Sequence, residues 1–143
     1  MLSEQKIRNN ELFTTMKKIS QKEIDSVMAL PPFDRYQYAI KWIADGEALY
    51  ILMNEAALAL EEVDDHKVIP IWSAAEYAAL SKNGDWADFE VTAVSLEEFE
   101  VDYIPLIVEN NYLLDVFSVG GKAGFVVTLG EFLRDLDDEL SNY

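Results

Sequence analysis

Three kinds of side chain in this sequence carry chemistry worth weighing. The single histidine, His66, sits in Asp64-Asp65-His66-Lys67, where an imidazole beside two carboxylates has the donor types of a metal ligand or a general base. The same residues between two apolar runs are ordinary polar turn chemistry, and the turn is the favoured reading. Asp115 is the one acid inside the apolar run Tyr112 to Phe117; a carboxylate buried there is hard to ionise and suited to proton transfer. Strand alternation sets it with Leu113 and Phe117, on a face expected to meet solvent or to be only partly covered by a helix. Trp72 and Trp86, with Trp42, Tyr36, Tyr38 and Tyr77, are the large aromatics of the kind that line grooves for ligands or partners. Trp72 directly precedes a helix start and is expected to pack there, which leaves Trp86, in Asn83-Gly84-Asp85-Trp86, as the more exposed candidate. The candidate binding residues are therefore Trp86, Trp72, His66 and Asp115.

No catalytic constellation joins them. The chain has no cysteine, so thiolate nucleophiles, disulfides, iron–sulfur ligation and thiolate zinc sites fall away together. No Ser occupies a Gly-x-Ser-x-Gly elbow, and Gly120-Gly121-Lys122 lacks the strand–loop–helix setting of a phosphate loop. Neither a cofactor nor a metal is expected, and the enzyme class is disfavoured.

The elements that position these residues announce themselves by their caps. Four times a Ser or Thr is followed three residues later by Glu, with apolar neighbours at the staple positions: Ser20/Glu23, Ser73/Glu76, Ser95/Glu98 and Thr128/Glu131. Helices are expected to start at these four points. The first stops at Pro31-Pro32, and a second runs from about Phe33 to Asp45 with Gly46 after it, so the two form a helical hairpin. The helix from Ser95 meets Pro105 and either ends near Ile104 or kinks there. Strands are expected at Ala48–Met53, Ala57–Glu61, Val68–Trp72, Glu90–Val94, Tyr112–Phe117 and Gly124–Val127, with a turn at Gly120-Gly121 and with Pro70 pushing its strand toward an edge. The resulting fold is α+β: one mixed, mainly antiparallel sheet of about five to six strands, an N-terminal helical hairpin and three further helices packed on it. Residues 1–15 read as a polar extension, and residues 16–143 as a single domain.

Charge narrows the partners. The formal net charge is −16, and it is unevenly spread: residues 1–42 hold 7 basic and 5 acidic side chains, leaving residues 43–143 at a net −18. Such a body repels phosphate backbones and anionic lipid, so neither nucleic acid nor a membrane is the expected partner. A basic protein is favoured by the same field. The N-terminus has no apolar signal segment, and a cytoplasmic protein is expected.

From Ile19 to about Leu140 the sequence resembles the bacterial family known as domain of unknown function 2750. The resemblance is carried by Leu30-Pro31 with Arg35-Tyr36, by Val68-Ile69-Pro70-Ile71-Trp72, by Glu76-Tyr77-Ala78 with Trp86 beyond, by Ser95-Leu96-Glu97-Glu98-Phe99 with Pro105, and by Gly124-Phe125-Val126-Val127-Thr128. Where the family usually has a turn residue and another Pro after the Trp, this chain has Ser73-Ala74. The resemblance implies a small bacterial cytoplasmic protein and brings no catalytic residues. Together these observations favour a non-enzymatic protein-binding or accessory module that engages a basic partner. The competing reading is a small-molecule-binding protein or motif-poor enzyme with a pocket near Trp72, Trp86 and His66.

Overall fold

The computed structural model describes residues 18–55, 57–119 and 122–142. The expected extension at 1–15 and the Gly120-Gly121 turn lie outside the described residues. Val119 and Lys122, on either side of those two glycines in sequence, pair with each other.

Helix α1 spans Gln21–Met28 and is capped by Ser20, whose hydroxyl accepts from Glu23 N at 3.1 Å. Pro31 holds the chain extended, and Pro32 opens α2, Pro32–Gly46. Gly46 lies inside α2 and not after it: Glu47 takes the left-handed conformation at φ 52° that ends the helix. Strand β1, Ala48–Met53, follows and pairs antiparallel with β4, Glu90–Ser95. The remaining strands are β2 (Glu61–Val63), β3 (His66–Ile71), β5 (Leu113–Val116) and β6 (Phe125–Val127). They form a second sheet in the order β2-β3-β5-β6, with β3 and β5 parallel and the other pairs antiparallel.

The expected single sheet is thus two sheets, one of two strands and one of four. The physical reason is Pro70. Ile71 O accepts from Phe117 N on the β5 side, so by alternation Val68, Pro70 and Trp72 direct their main-chain polar groups to the opposite side. There Val68 lies across from Glu61 of β2, while Trp72 exchanges both of its main-chain bonds with Tyr50 of β1 at 2.9 Å each. Pro70, which has no N–H to donate, stands at the point where β3 changes partner. It does not push β3 to an edge, because β3 lies between β2 and β5.

The segment expected as a strand at Ala57–Glu61 is also different. Asn54 folds the chain back at once, its Oδ1 accepting from Ala57 N at 2.7 Å. Only Leu58 bridges to β1, opposite Met53, and the strand proper begins at Glu61. A two-residue turn then joins β2 to β3 with Asp64 and Asp65 both left-handed, at φ 50° and 67°.

The helix from Ser95 carries the reciprocal capping box expected of it and begins as α4, Leu96–Glu98. It widens into a π-helical turn at Phe99–Tyr103, closed by Ile104 N–H on Phe99 O, and continues as α5, Ile104–Asn110. The wider turn lies immediately ahead of Pro105 and lets the chain pass a proline without ending the helix. The final helix, α6 (Leu129–Leu140), has its own full capping box at Thr128 and Glu131. Only Ser73 fails as a cap. The short helix α3, Ala75–Ala79, is led by Ala74, so Ser73 falls one residue too early; its Oγ is buried without a partner among the described residues.

The buried side chains form one contiguous core that includes Leu49, Ile51, Ile71, Trp72, Tyr77, Leu114, Phe117 and Phe132. α6 packs along α2, and α3 lies against β1 and β4. Among the described residues, no helix is long and apolar enough to cross a membrane.

Candidate functional site

The structure sets the four residues singled out by sequence in different surroundings. Trp72 is fully buried and donates its indole N–H to Ser118 O at 2.9 Å, so it serves the core. Trp86 lies in a short 3₁₀ turn, Gly84–Trp86, and is half-buried against the core edge. His66 is exposed at the β2–β3 hairpin, its Nδ1 3.0 Å from Asp64 O, and stands six residues from Trp72, about 20 Å along a strand.

Asp115 is where sequence and structure meet in an unexpected way. The face it shares with Phe117 is closed to solvent and not exposed: Asp115 and Phe117 are both fully buried. Asp115 Oδ1 accepts from Gly124 N at 2.7 Å. That approach requires glycine, since a Cβ at 124 would stand 2.2 Å from Val116 O and 2.7 Å from Asp115 Oδ1. Two partners of Asp115 were not legible in the sequence. Glu61, at the start of β2, presents a carboxyl to it, and one oxygen of each acid, Glu61 Oε1 and Asp115 Oδ2, is buried without a donor among the described residues. With Glu61 protonated, its carboxyl supplies that donor. Burial first, and then the bond and charge of Asp115, push the Glu61 carboxyl up to about 8.

The second partner is Arg35, which is buried although it carries a charge. Its Nε donates to Phe117 O at 3.1 Å, and its two terminal nitrogens reach Leu30 O and Ala123 O. The guanidinium thereby ties the α1–α2 link, the end of β5 and the segment before β6 into one knot. Burial pushes Arg35 below its ordinary range, and the charge of Asp115 opposes that shift. Phe117 is held at φ 66°, an uncommon conformation for a bulky side chain, and its carbonyl accepts from Arg35 Nε.

A second locality is open to solvent. Between α2 and α6 lies a cleft of about 360 Å³ lined by Phe33, Tyr36, Gln37 and Ile40 from one helix and by Arg134, Asp135, Asp138 and Glu139 from the other, with Asn142 beyond the end of α6. The positions 33, 36, 37 and 40 share a face at helical spacing, as do 135, 138 and 139. Of its aromatic residues Phe33 is exposed and Tyr36 is buried, and both pack on Phe125 behind the cleft, with ring centroids 5.1 to 6.3 Å apart. Tyr36 donates to Asp135 Oδ2 at 2.6 Å, and Arg134 donates to Asp135 Oδ1 at 3.0 Å. Burial raises the Asp135 carboxyl, but those two bonds outweigh it and hold the group below the usual carboxylate range. The carboxylates of Asp138 and Glu139 have no side-chain partner among the described residues. An exposed aromatic ring beside carboxylates is a setting in which a cation is held by charge and by a ring face.

Against known proteins, the family model described as Protein of unknown function (DUF2750) matches residues 36–136. No curated protein and no solved structure matches the chain.

Proposed function

The chain belongs to the DUF2750 family, whose description assigns no function, and within it we propose that this protein is a non-enzymatic, cytosolic binding module that takes a basic side chain of a partner protein into the α2–α6 cleft. The observation that carries this reading is one cleft that brings the exposed ring of Phe33 together with the carboxylates of Asp138 and Glu139. A Lys or Arg stem lies along the exposed ring of Phe33 while its head reaches the acids. The net −18 of residues 43–143 speeds the approach of such a partner.

A fluorescent Arg-rich peptide, titrated at low and at high salt, tests this. Binding is expected to weaken at least tenfold on raising salt, and also in the variant Asp138→Asn with Glu139→Gln. Equal affinity in wild type and variant would sink the cleft as the site. A pull-down from host lysate under the same two salt conditions then identifies the partner.

A second reading, small-molecule binding or proton-transfer chemistry, draws its support from Glu61 and Asp115, since an acid held protonated near neutral pH is suited to give up a proton. A metabolite screen by thermal shift addresses it. A compound whose shift vanishes in Glu61→Gln favours this reading, and a screen without hits disfavours it.

A further inference from the structure

The outer face of the helix through Ser95 departs from the usual division of a surface helix. Phe99 and Ile107 are buried, with Tyr103 half-buried between them, so this side faces the core. The opposite side is expected to be polar. It instead presents Val101 at 65% exposure and Val108 at 62%, with exposed Pro105 between them and Leu106 beside it. These side chains follow one another at spacings of four and three, and the row covers about 10 Å, two helical turns. Such a row is not the solitary exposed Leu or Val that needs no explanation.

The charge around it is one-signed. Glu97, Glu98, Glu100, Asp102 and Glu109 are all exposed along the same helix. No Lys, Arg or His occurs anywhere between Lys82 and Lys122. An apolar row two turns long with acids at its margins is complementary to one kind of element: a helix with an apolar stripe of similar length and basic residues flanking it.

We infer that the π-turn and α5 face of Val101, Pro105 and Val108 is a docking surface for a basic amphipathic helix of a partner protein. The π turn contributes directly, because it and Pro105 set the register in which these side chains line up on the outside. Recognition is of the helix-in-groove kind, with apolar anchors at the centre and charge pairs at the rim. The inference rests on the reading of a basic partner given above, but it names a different surface, so the two can fail separately.

The test is fluorescence polarisation with the full chain and a labelled 18-residue helix of Leu and Lys whose leucines form one stripe. Its comparison peptide has the same composition with the leucines scattered around the helix. Val101→Ser with Val108→Ser removes the anchors without changing charge, and because both side chains are more than half exposed the melting temperature should stay within a degree or two. The striped peptide is expected to bind at least tenfold more tightly than the scattered one, and the double variant to lose at least that factor. Asp138→Asn with Glu139→Gln is expected to leave the striped peptide's affinity within twofold. Equal binding of the two peptides, or an unchanged affinity in the serine variant, overturns the docking surface. Loss only in the cleft variant overturns it too, while leaving the cleft reading intact. Tight binding of a Leu/Ser striped peptide, insensitive to salt, overturns the basic partner on which both readings rest. Sedimentation that shows a dimer dissolved by the serine variant assigns the row to a second copy of this chain and overturns the partner helix.

Discussion

Glu61 gives this fold a sensitivity to pH. In the unfolded chain its carboxyl ionises near 4.3, and in the folded protein at about 8. Between those values the folded state holds a proton that the unfolded state has released. The stabilisation is therefore complete below the lower value and is lost as pH rises through the upper one. Urea midpoints measured from pH 5 to pH 9 are expected to fall more steeply for the wild type than for Glu61→Gln, whose amide donates to Asp115 without titrating. Parallel profiles would place the proton elsewhere. Gly124 makes the complementary steric prediction. A Cβ there would meet Val116 O at 2.2 Å, backbone that cannot yield cheaply, so Gly124→Ala should cost about 3 kcal/mol or more in urea unfolding. Sequence made Asp115 visible as an acid in an apolar run. Glu61 carried no such mark among so many acids, and nothing in a sequence says that Arg35, after two prolines, turns inward to collect three carbonyls. Glu61 stands 54 positions from Asp115, and two of the three carbonyls lie 82 and 88 positions from Arg35, beyond any local pattern.

At the scale of elements, local chemistry was largely readable where it acts locally. Three of the four Ser/Thr-to-Glu signals cap a helix with the expected hydroxyl bond, and two of them close the reciprocal box. Ser73 did not, because Trp72 is locked to Tyr50 by main-chain bonds and the chain needs one more residue before it can turn into α3. The two cases separate in stability. Thr128→Ala is expected to cost about 1 kcal/mol, as a lost cap does. Ser73→Ala removes a buried hydroxyl that has no partner and should be neutral or slightly stabilising. Melting temperatures of the two variants decide this, and a comparable loss in both would mean Ser73 has a role beyond capping. The strands were legible from their composition at Ala48–Met53, at Glu90–Ser95 and in β3, β5 and β6. Their pairing was not. β1 seeks β4 across forty residues and β3 runs parallel to β5, choices made by packing and not by the strands' own residues.

For the whole molecule, the net charge of −16 is a standing repulsion that the core must overcome. Raising sodium chloride from about 10 mM to about 200 mM shortens the screening length from roughly 30 Å to under 10 Å. The melting temperature is expected to rise over that range, and a fall would show that attractive charge pairs outweigh the repulsion. The exchange of salt for partner is the same physics: a basic helix or side chain would relieve at one place the repulsion that ions relieve diffusely. A bound Arg-rich or Leu/Lys peptide should accordingly raise the melting temperature most at low salt.

The change of partner at Pro70 also divides the molecule in time. A ladder that hands over from β2 to β1 at a residue with no amide hydrogen is joined there through the Tyr50–Trp72 pair. Native-state opening proceeds in cooperative units, and two sheets coupled by so short a seam are expected to open separately. Deuterium should therefore enter the β1–β4 amides and the β3–β5–β6 amides at two distinct rates under native conditions, with Tyr50 and Trp72 following the slower unit. Replacing Pro70 by alanine restores a donor at the seam, and the two rates should draw together.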